Sequence, residues 1–264
     1  MSTLISKIHS LSVKRHNGTD GHKAERHVRR NLALRMAFPL ICAALYAPSA
    51  HAQVGESRST LAIGINGGMN MNTVNFTPTI DQNSLNGVTG GITLRYTCEK
   101  YFATVCAVQL ELNYSQQGWL ENIDDGSNNT YQRTIDYVQV PIFAHLGWGR
   151  EERGVQFFVN AGPQFGFYLS DKETYGGDPW DTSNRPNSVT EQYGKDIEKT
   201  FDYGIAGGAG IDLATKIGHF TLEGRYYYGF GNIFGDTKKD PFGNSNHTVI
   251  SVRLGYLLDI FKGR

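Results

Sequence analysis

The sequence predicts an all-β protein, an eight-stranded antiparallel up-and-down transmembrane β-barrel, and three observations predict it. Past residue 52 the chain alternates apolar and polar residues in eight runs of strand length, the period that sends successive side chains to opposite faces. The connections between those runs are alternately long and short. A short apolar segment with a peptidase-like end precedes them. A soluble sandwich has no reason to sort its loops by length, whereas an outer-membrane barrel has short periplasmic turns and long outer loops.

The leader comes first. "MAFPLICAALYA" (Met36–Ala47) follows Arg29, Arg30 and Arg35 and runs into "PSAHAQ". Ala50-His51-Ala52 meets the small-x-small rule, so residues 1–52 read as leader and signal peptide, with cleavage after Ala52 and a barrel domain over 53–264. The run is shorter than the roughly 20 residues a membrane-crossing helix needs. Ile41 before Cys42 makes a poor lipidation box. The polar first residues, with His16, His22 and His27, read as an unstructured leader or an overextended start rather than a metal site.

Composition agrees. The chain holds 31 glycines, 12% aromatic and 19% charged residues, a balance that favours short strands and turns. Residues 1–52 carry eight of the 25 Lys and Arg but two of the 25 Asp and Glu, so 53–264 is mildly acidic. Nucleic acid is thereby excluded as a partner, because its binding surfaces are basic.

The first strand, about 59–71, shows Leu61, Ile63 and Ile65 on one face. The second, 87–98, shows Val88, Ile92, Leu94 and Tyr96, and the third, 103–115, shows Val108, Leu110, Leu112 and Tyr114. The fourth, 131–146, aligns Val138, Val140, Ile142, Ala144 and Leu146. The fifth, 155–169, aligns Phe157, Val159, Phe165, Phe167 and Leu169. The sixth, 201–214, aligns Tyr203, Ile205, Ala209, Ile211 and Leu213. The seventh, 219–229, aligns Phe220, Leu222, Tyr226 and Tyr228, and the eighth, 247–258, aligns Ile250, Val252, Leu254 and Tyr256. Each face is about the length a tilted strand needs to cross a bilayer. Aromatics near the strand ends, among them Tyr96, Tyr101, Phe102, Tyr114, Trp119, Tyr131, Trp148, Tyr168 and Tyr256, suggest interfacial girdles.

The opposite faces carry the charge. Arg95, Glu111, Asp202, Asp212, Glu223, Arg225 and Arg253 all fall there, and Gln139 and His145 can extend the set. If the apolar faces meet lipid, these residues form a lumen charge network, since eight strands leave an interior just wide enough for side chains to fill. The glycines of "GIAGGAG" (Gly204–Gly210) lack the dinucleotide spacing and read as small lumen-facing residues. The acidic stretches 121–129 and 178–184 lack Ca²⁺-loop spacing and read as solvated loops. His145, His219 and His247 are scattered, with no Ser, His and acid cluster, so neither catalysis nor a metal or cofactor is expected. Cys98 and Cys106 flank the first short turn, and the strand register decides whether they can form a disulfide.

Four of these stretches resemble consecutive strands of the PorT-like outer-membrane β-barrel family: "YVQVPIFAHLGW" (Tyr137–Trp148), "FFVNAGPQFGFYLSD" (Phe157–Asp171), "FDYGIAGGAGIDL" (Phe201–Leu213) and "TLEGRYYYGFGNI" (Thr221–Ile233). "LELNYSQQG" (Leu110–Gly118) is similar to that family's third strand. The resemblance implies a bacterial outer-membrane location and, for one member, service to a secretion system. The C-terminus departs from it, because "LLDIFKGR" continues past Tyr256 and ends on no aromatic residue.

The expected role is therefore structural, adhesive or secretion-accessory and non-catalytic. The alternatives are a small-solute channel, an outer-membrane lipid hydrolase and a soluble lipocalin-like binder. Expected partners are outer-membrane lipid, lipopolysaccharide and a secretion or surface protein, with the barrel itself a monomer. Intact mass of the outer-membrane form should correspond to a chain starting at Gln53; a mass retaining residues 1–52 would remove the secretory argument.

Overall fold

The structure, a computed structural model, describes residues 59–101, 104–149, 153–185, 189–235, 237 and 240–262. The leader, its cleavage site and Cys42 lie outside the described residues. Nine strands follow one another: β1 (Thr60–Thr77), β2 (Gln82–Asn83), β3 (Leu85–Tyr101), β4 (Thr104–Glu121), β5 (Thr130–Gly149), β6 (Gly154–Gly176), β7 (Phe201–Thr215), β8 (Gly218–Gly229) and β9 (Asn244–Lys262). The two-residue β2 pairs with Leu120 and Glu121 at the end of β4. The other eight form a ring in which every neighbour is antiparallel. The ring closes between its first and last strands, β1 and β9, from Thr60↔Lys262 to Thr77↔Asn244.

Burial is inside-out relative to a soluble protein. Ile65 and Leu254 are each 65% exposed, while Glu111 is 3% and Arg225 4% exposed. Large apolar residues form the outer wall on every long strand, and polar ones fill the interior. That arrangement is stable only where the wall meets hydrocarbon.

Toward the end that carries the long connections the pattern reverses. On β1 beyond Met71, Val74 and Phe76 point inward and are buried, while Asn75 and Thr77 point outward. On β5, Tyr131, Ile135 and Tyr137 turn inward, and Gln132, Thr134 and Asp136 turn outward. Ser170, Lys172 and Thr174 do the same on β6. Several strands therefore run past the expected ends, because the ladder continues above the bilayer as a water-facing barrel. Its interior packs Val74, Phe76, Trp119, Tyr131, Ile135, Phe234 and Phe242 into one apolar cluster. Phe76 and Trp119 meet edge to face at 5.1 Å, and Phe234 stacks on Phe242 at 5.4 Å.

This corrects the girdle expectation for two residues. Trp119 and Tyr131 are fully buried in the cluster rather than set in the interface. Tyr96, Tyr114, Trp148, Tyr203, Tyr226 and Tyr228 are exposed on the outer wall.

The two zones predict opposite responses to the same substitution. Leu110→Arg places a cation against lipid and should cost about 2–4 kcal/mol. Thr174→Arg, on the exposed outer face of β6, should change stability by less than about 0.5 kcal/mol. Denaturant titration of both variants in micelles measures the difference.

Candidate functional site

The interior of the membrane zone holds a hydrogen-bonded network centred on Arg225. Strand alternation aims Glu223 and Arg225 of β8 inward, and Glu111 reaches them from β4. Arg225 donates to both Glu111 oxygens, Nη1 to Oε2 at 2.9 Å and Nη2 to Oε1 at 2.8 Å. It also donates to Glu223, Nε to Oε1 at 3.0 Å and Nη2 to Oε2 at 2.8 Å. Its guanidinium carbon lies 4.5 Å from the Phe143 ring centre, so the flat cation is held on its face as well as its edges.

The network spreads from there. Arg253 Nη1 lies 3.3 Å from Glu111 Oε2, and its Nη2 donates to Asn66. Asn113 and Gln109 donate to the two Glu111 oxygens at 2.8 and 2.6 Å. Gln109 accepts from Arg95 at 2.9 Å, and Arg95 pairs with Asp212 at 2.7 Å. Asp212 faces His219 Nδ1 at 3.0 Å, and His219 Nε2 lies 3.5 Å from Asp259. On the other side Asn160 donates to Glu223 at 3.2 Å and meets His145 Nδ1 at 2.8 Å. The space left between Arg95, Glu111, Glu223, Arg225 and Arg253 is about 10 Å³, at the lower limit for one water.

β7 makes room for these groups because its inward face between Asp202 and Asp212 holds only Gly204, Ala206, Gly208 and Gly210. A Cβ on Gly208 would lie 2.5 Å from Glu223 Oε1, and one on Gly210 would lie 2.5 Å from the Phe158 ring. Phe158 in turn packs on His145 at 5.0 Å and under Arg95 at 5.9 Å.

Arg95, Glu111, Asp212, Glu223, Arg225, Arg253 and, through Asn160, His145 are thus in contact. Two expected members stand apart. Asp202 accepts a 2.7 Å bond from Tyr227 instead. It lies about ten residues along β7 from Asp212, roughly 33 Å at the usual strand rise. Gln139 faces the lumen opposite Asn113 but joins no hydrogen bond of the network. Asn66, His219 and Asp259 belong to it and were not foreseen. Asn66 and His219 sit on inward positions in their strands' alternation, which is the signal that could have found them. Cys98 and Cys106 are free thiols.

A second cluster packs at the mouth that carries the long connections. The connection after β6 is not merely solvated over its described parts, 177–185 and 189–200, because Trp180, Val189, Tyr193 and Ile197 pack on the apolar cluster. Arg185 donates to Tyr193 at 3.0 Å, pairs with Asp125 and covers the Trp180 ring at 4.8 Å. Tyr193 donates to Glu121 at 2.8 Å, and buried Gln192 donates to the same carboxylate at 3.2 Å. Burial pushes the Glu121 carboxyl up, opposed by the Tyr193 and Gln192 hydrogen bonds. Arg133 holds Asp171 at 2.7 Å and Glu173 at 2.8 Å beneath this lid.

Two predictions follow from these contacts. Arg225→Ala leaves Glu111 and Glu223 short of their main cation and should cost about 3–5 kcal/mol, against about 1 kcal/mol for Gln139→Ala, by denaturant unfolding. At the mouth, Glu121→Ala removes the acceptor of the Tyr193 hydroxyl and leaves the Gln192 amide only the Val189 carbonyl, which should loosen the lid by about 1–3 kcal/mol. Glu121→Gln keeps an acceptor and removes a charge that burial disfavours, so hydrogen exchange at 189–197 should rise in the alanine variant alone.

Comparison with known proteins adds the following. The model of the outer membrane protein beta-barrel domain matches residues 51–235. Among solved structures, the attachment invasion locus protein Ail of Yersinia pestis is 14% identical, with 77% of this chain and 100% of that one covered, at a TM-score of 0.35. OprG of Pseudomonas aeruginosa is 12% identical over 76% of this chain and 96% of its own, at 0.37. The outer membrane enzyme PagL is 13% identical over 77% and 100%, at 0.36. No curated protein matches the chain.

Proposed function

The chain belongs to the outer membrane protein beta-barrel domain family and resides in the bacterial outer membrane, and from that premise we propose that it is a closed, non-catalytic barrel whose work is done at its outer end. Its role is structural, adhesive or secretion-accessory. The narrower likeness to PorT-like barrels is part of this reading and favours service to a secretion or surface partner.

The observation that carries the proposal is the filled lumen. Opposite charges interlock across it, with room for about one water between them, and an apolar cluster with a packed lid lies above. A solute path would have to break both. The water-facing extension then offers a stiff platform of polar strand faces and loops to whatever lies outside the cell.

Catalysis lacks support in the arrangement of histidines. His145 faces Asn160, His219 faces Asp212 and His247 faces Tyr137. Among the described residues none is hydrogen-bonded to a serine or threonine hydroxyl, the pairing that usually activates such a nucleophile.

The channel reading is the one to test against. The purified protein in a planar bilayer should show little or no steady conductance. Large, stable porin-like currents would overturn the closed-barrel proposal and promote the channel. A tag inserted at 181–184 should be labelled on intact cells, and labelling only after the outer membrane is opened would reverse the assigned outer end.

A further inference from the structure

The two mature cysteines lie where the β3–β4 ladder is irregular. Thr97 pairs with Ala107, and the next pair is Glu99 with Cys106, so Cys98 is the extra residue of a β-bulge. Two residues of β3, Cys98 and Glu99, therefore stand opposite one residue of β4, Cys106. Thr97 and Ala107 are buried in the lumen, and alternation sends Cys98 and Cys106 to the outer wall together. Cys98 is exposed and Cys106 half-exposed, and both thiols are free. The one hydrogen-bond contact of the Cys98 sulfur among the described residues is a 3.8 Å approach to the Tyr96 carbonyl.

We propose that Cys98 and Cys106 are a modification site, oxidised to an intrachain disulfide by a thiol–disulfide oxidant of the periplasm. Cross-strand neighbours on one face have Cβ atoms about 4.5–5.5 Å apart, and a disulfide needs about 3.5–4.5 Å. The bulge bends its strand locally, which is the freedom that small adjustment requires. The β3–β4 end of the wall faces the periplasm in this reading, an oxidising compartment, so the oxidant meets the folded hairpin.

The exposure difference orders the steps. Cys98, the more accessible, loses its proton and attacks one sulfur of the oxidant's disulfide. This forms a mixed disulfide and releases the oxidant's other sulfur as a thiolate. Cys106, deprotonated in turn, attacks the Cys98 sulfur and displaces the oxidant's remaining sulfur. The products are the Cys98–Cys106 disulfide and the oxidant as a dithiol; two protons and two electrons have moved from this chain to the oxidant. The bond ties the β3–β4 hairpin across its short turn at the periplasmic end of the wall.

The sequence provides its own assay, because Lys100 lies between the two cysteines. Outer membranes quenched in acid, alkylated and cut with trypsin without reduction should yield the peptides Tyr96–Lys100 and Tyr101–Arg133 joined, and reduction should part them. Recovery of both peptides alkylated before reduction would overturn the disulfide. For the order of attack, Cys106→Ser should accumulate a mixed disulfide through Cys98 at least tenfold more than Cys98→Ser does through Cys106. Equal or reversed amounts would overturn the assignment of Cys98 as the attacking thiol.

Discussion

In hydrocarbon every backbone amide and carbonyl must find its partner inside the protein, and in this chain the β1–β9 ladder is what completes that requirement. With those two strands paired, the sheet has no lipid-facing edge. Closure at eight long strands also sets the diameter. Such a lumen is too narrow for free water around several charges, so any charge placed in it must be met by another side chain. Register across the ring is what brings those side chains level. Glu223 lies opposite Arg253 on β9, and Gln109 opposite Arg95 on β3.

The lumen network follows from that confinement. Arg95, Arg225 and Arg253 are matched by Glu111, Asp212 and Glu223 through charge-assisted contacts of 2.7–3.3 Å. The remaining hydrogen-bonding positions on these groups are taken largely by amides, Gln109, Asn113 and Asn160. Such a network is not strong evidence for stability, since burial of ions costs about as much as their pairing returns. What it does is make one arrangement of the interior far better than the others.

Beyond the bilayer the solvent on the outer wall changes from lipid to water, and the chain responds by exchanging its faces. The strands keep the same hydrogen-bonded ladder while the apolar residues move inside. This gives the outer end a core of the ordinary soluble kind, with Trp119, Phe234 and Phe76 at its centre. The lid formed by 177–185 and 189–200 is held on that core by apolar packing and by the Arg185, Tyr193 and Glu121 contacts. A single barrel is thus built by two opposite solvent rules, joined by continuous strands.

Alternation and loop length were enough to read the fold class, the membrane-facing wall and the inward direction of Arg95, Glu111, Glu223 and Arg225, because side-chain direction in a strand is a local property with period two. The extent of the strands past the bilayer was not legible. Inward Trp119 and Tyr131 look the same in sequence as interfacial aromatics, and only the packed cluster separates them. Nor could alternation tell that Asp202 stays with Tyr227, that His219 bridges Asp212 and Asp259, or that a bulge sets Cys98 against Cys106. Those depend on register and strand stagger between segments far apart in the chain. The sequence by itself determined which face of each strand looks inward; which inward groups meet was decided by the closed ring, since closure alone sets their height in the lumen.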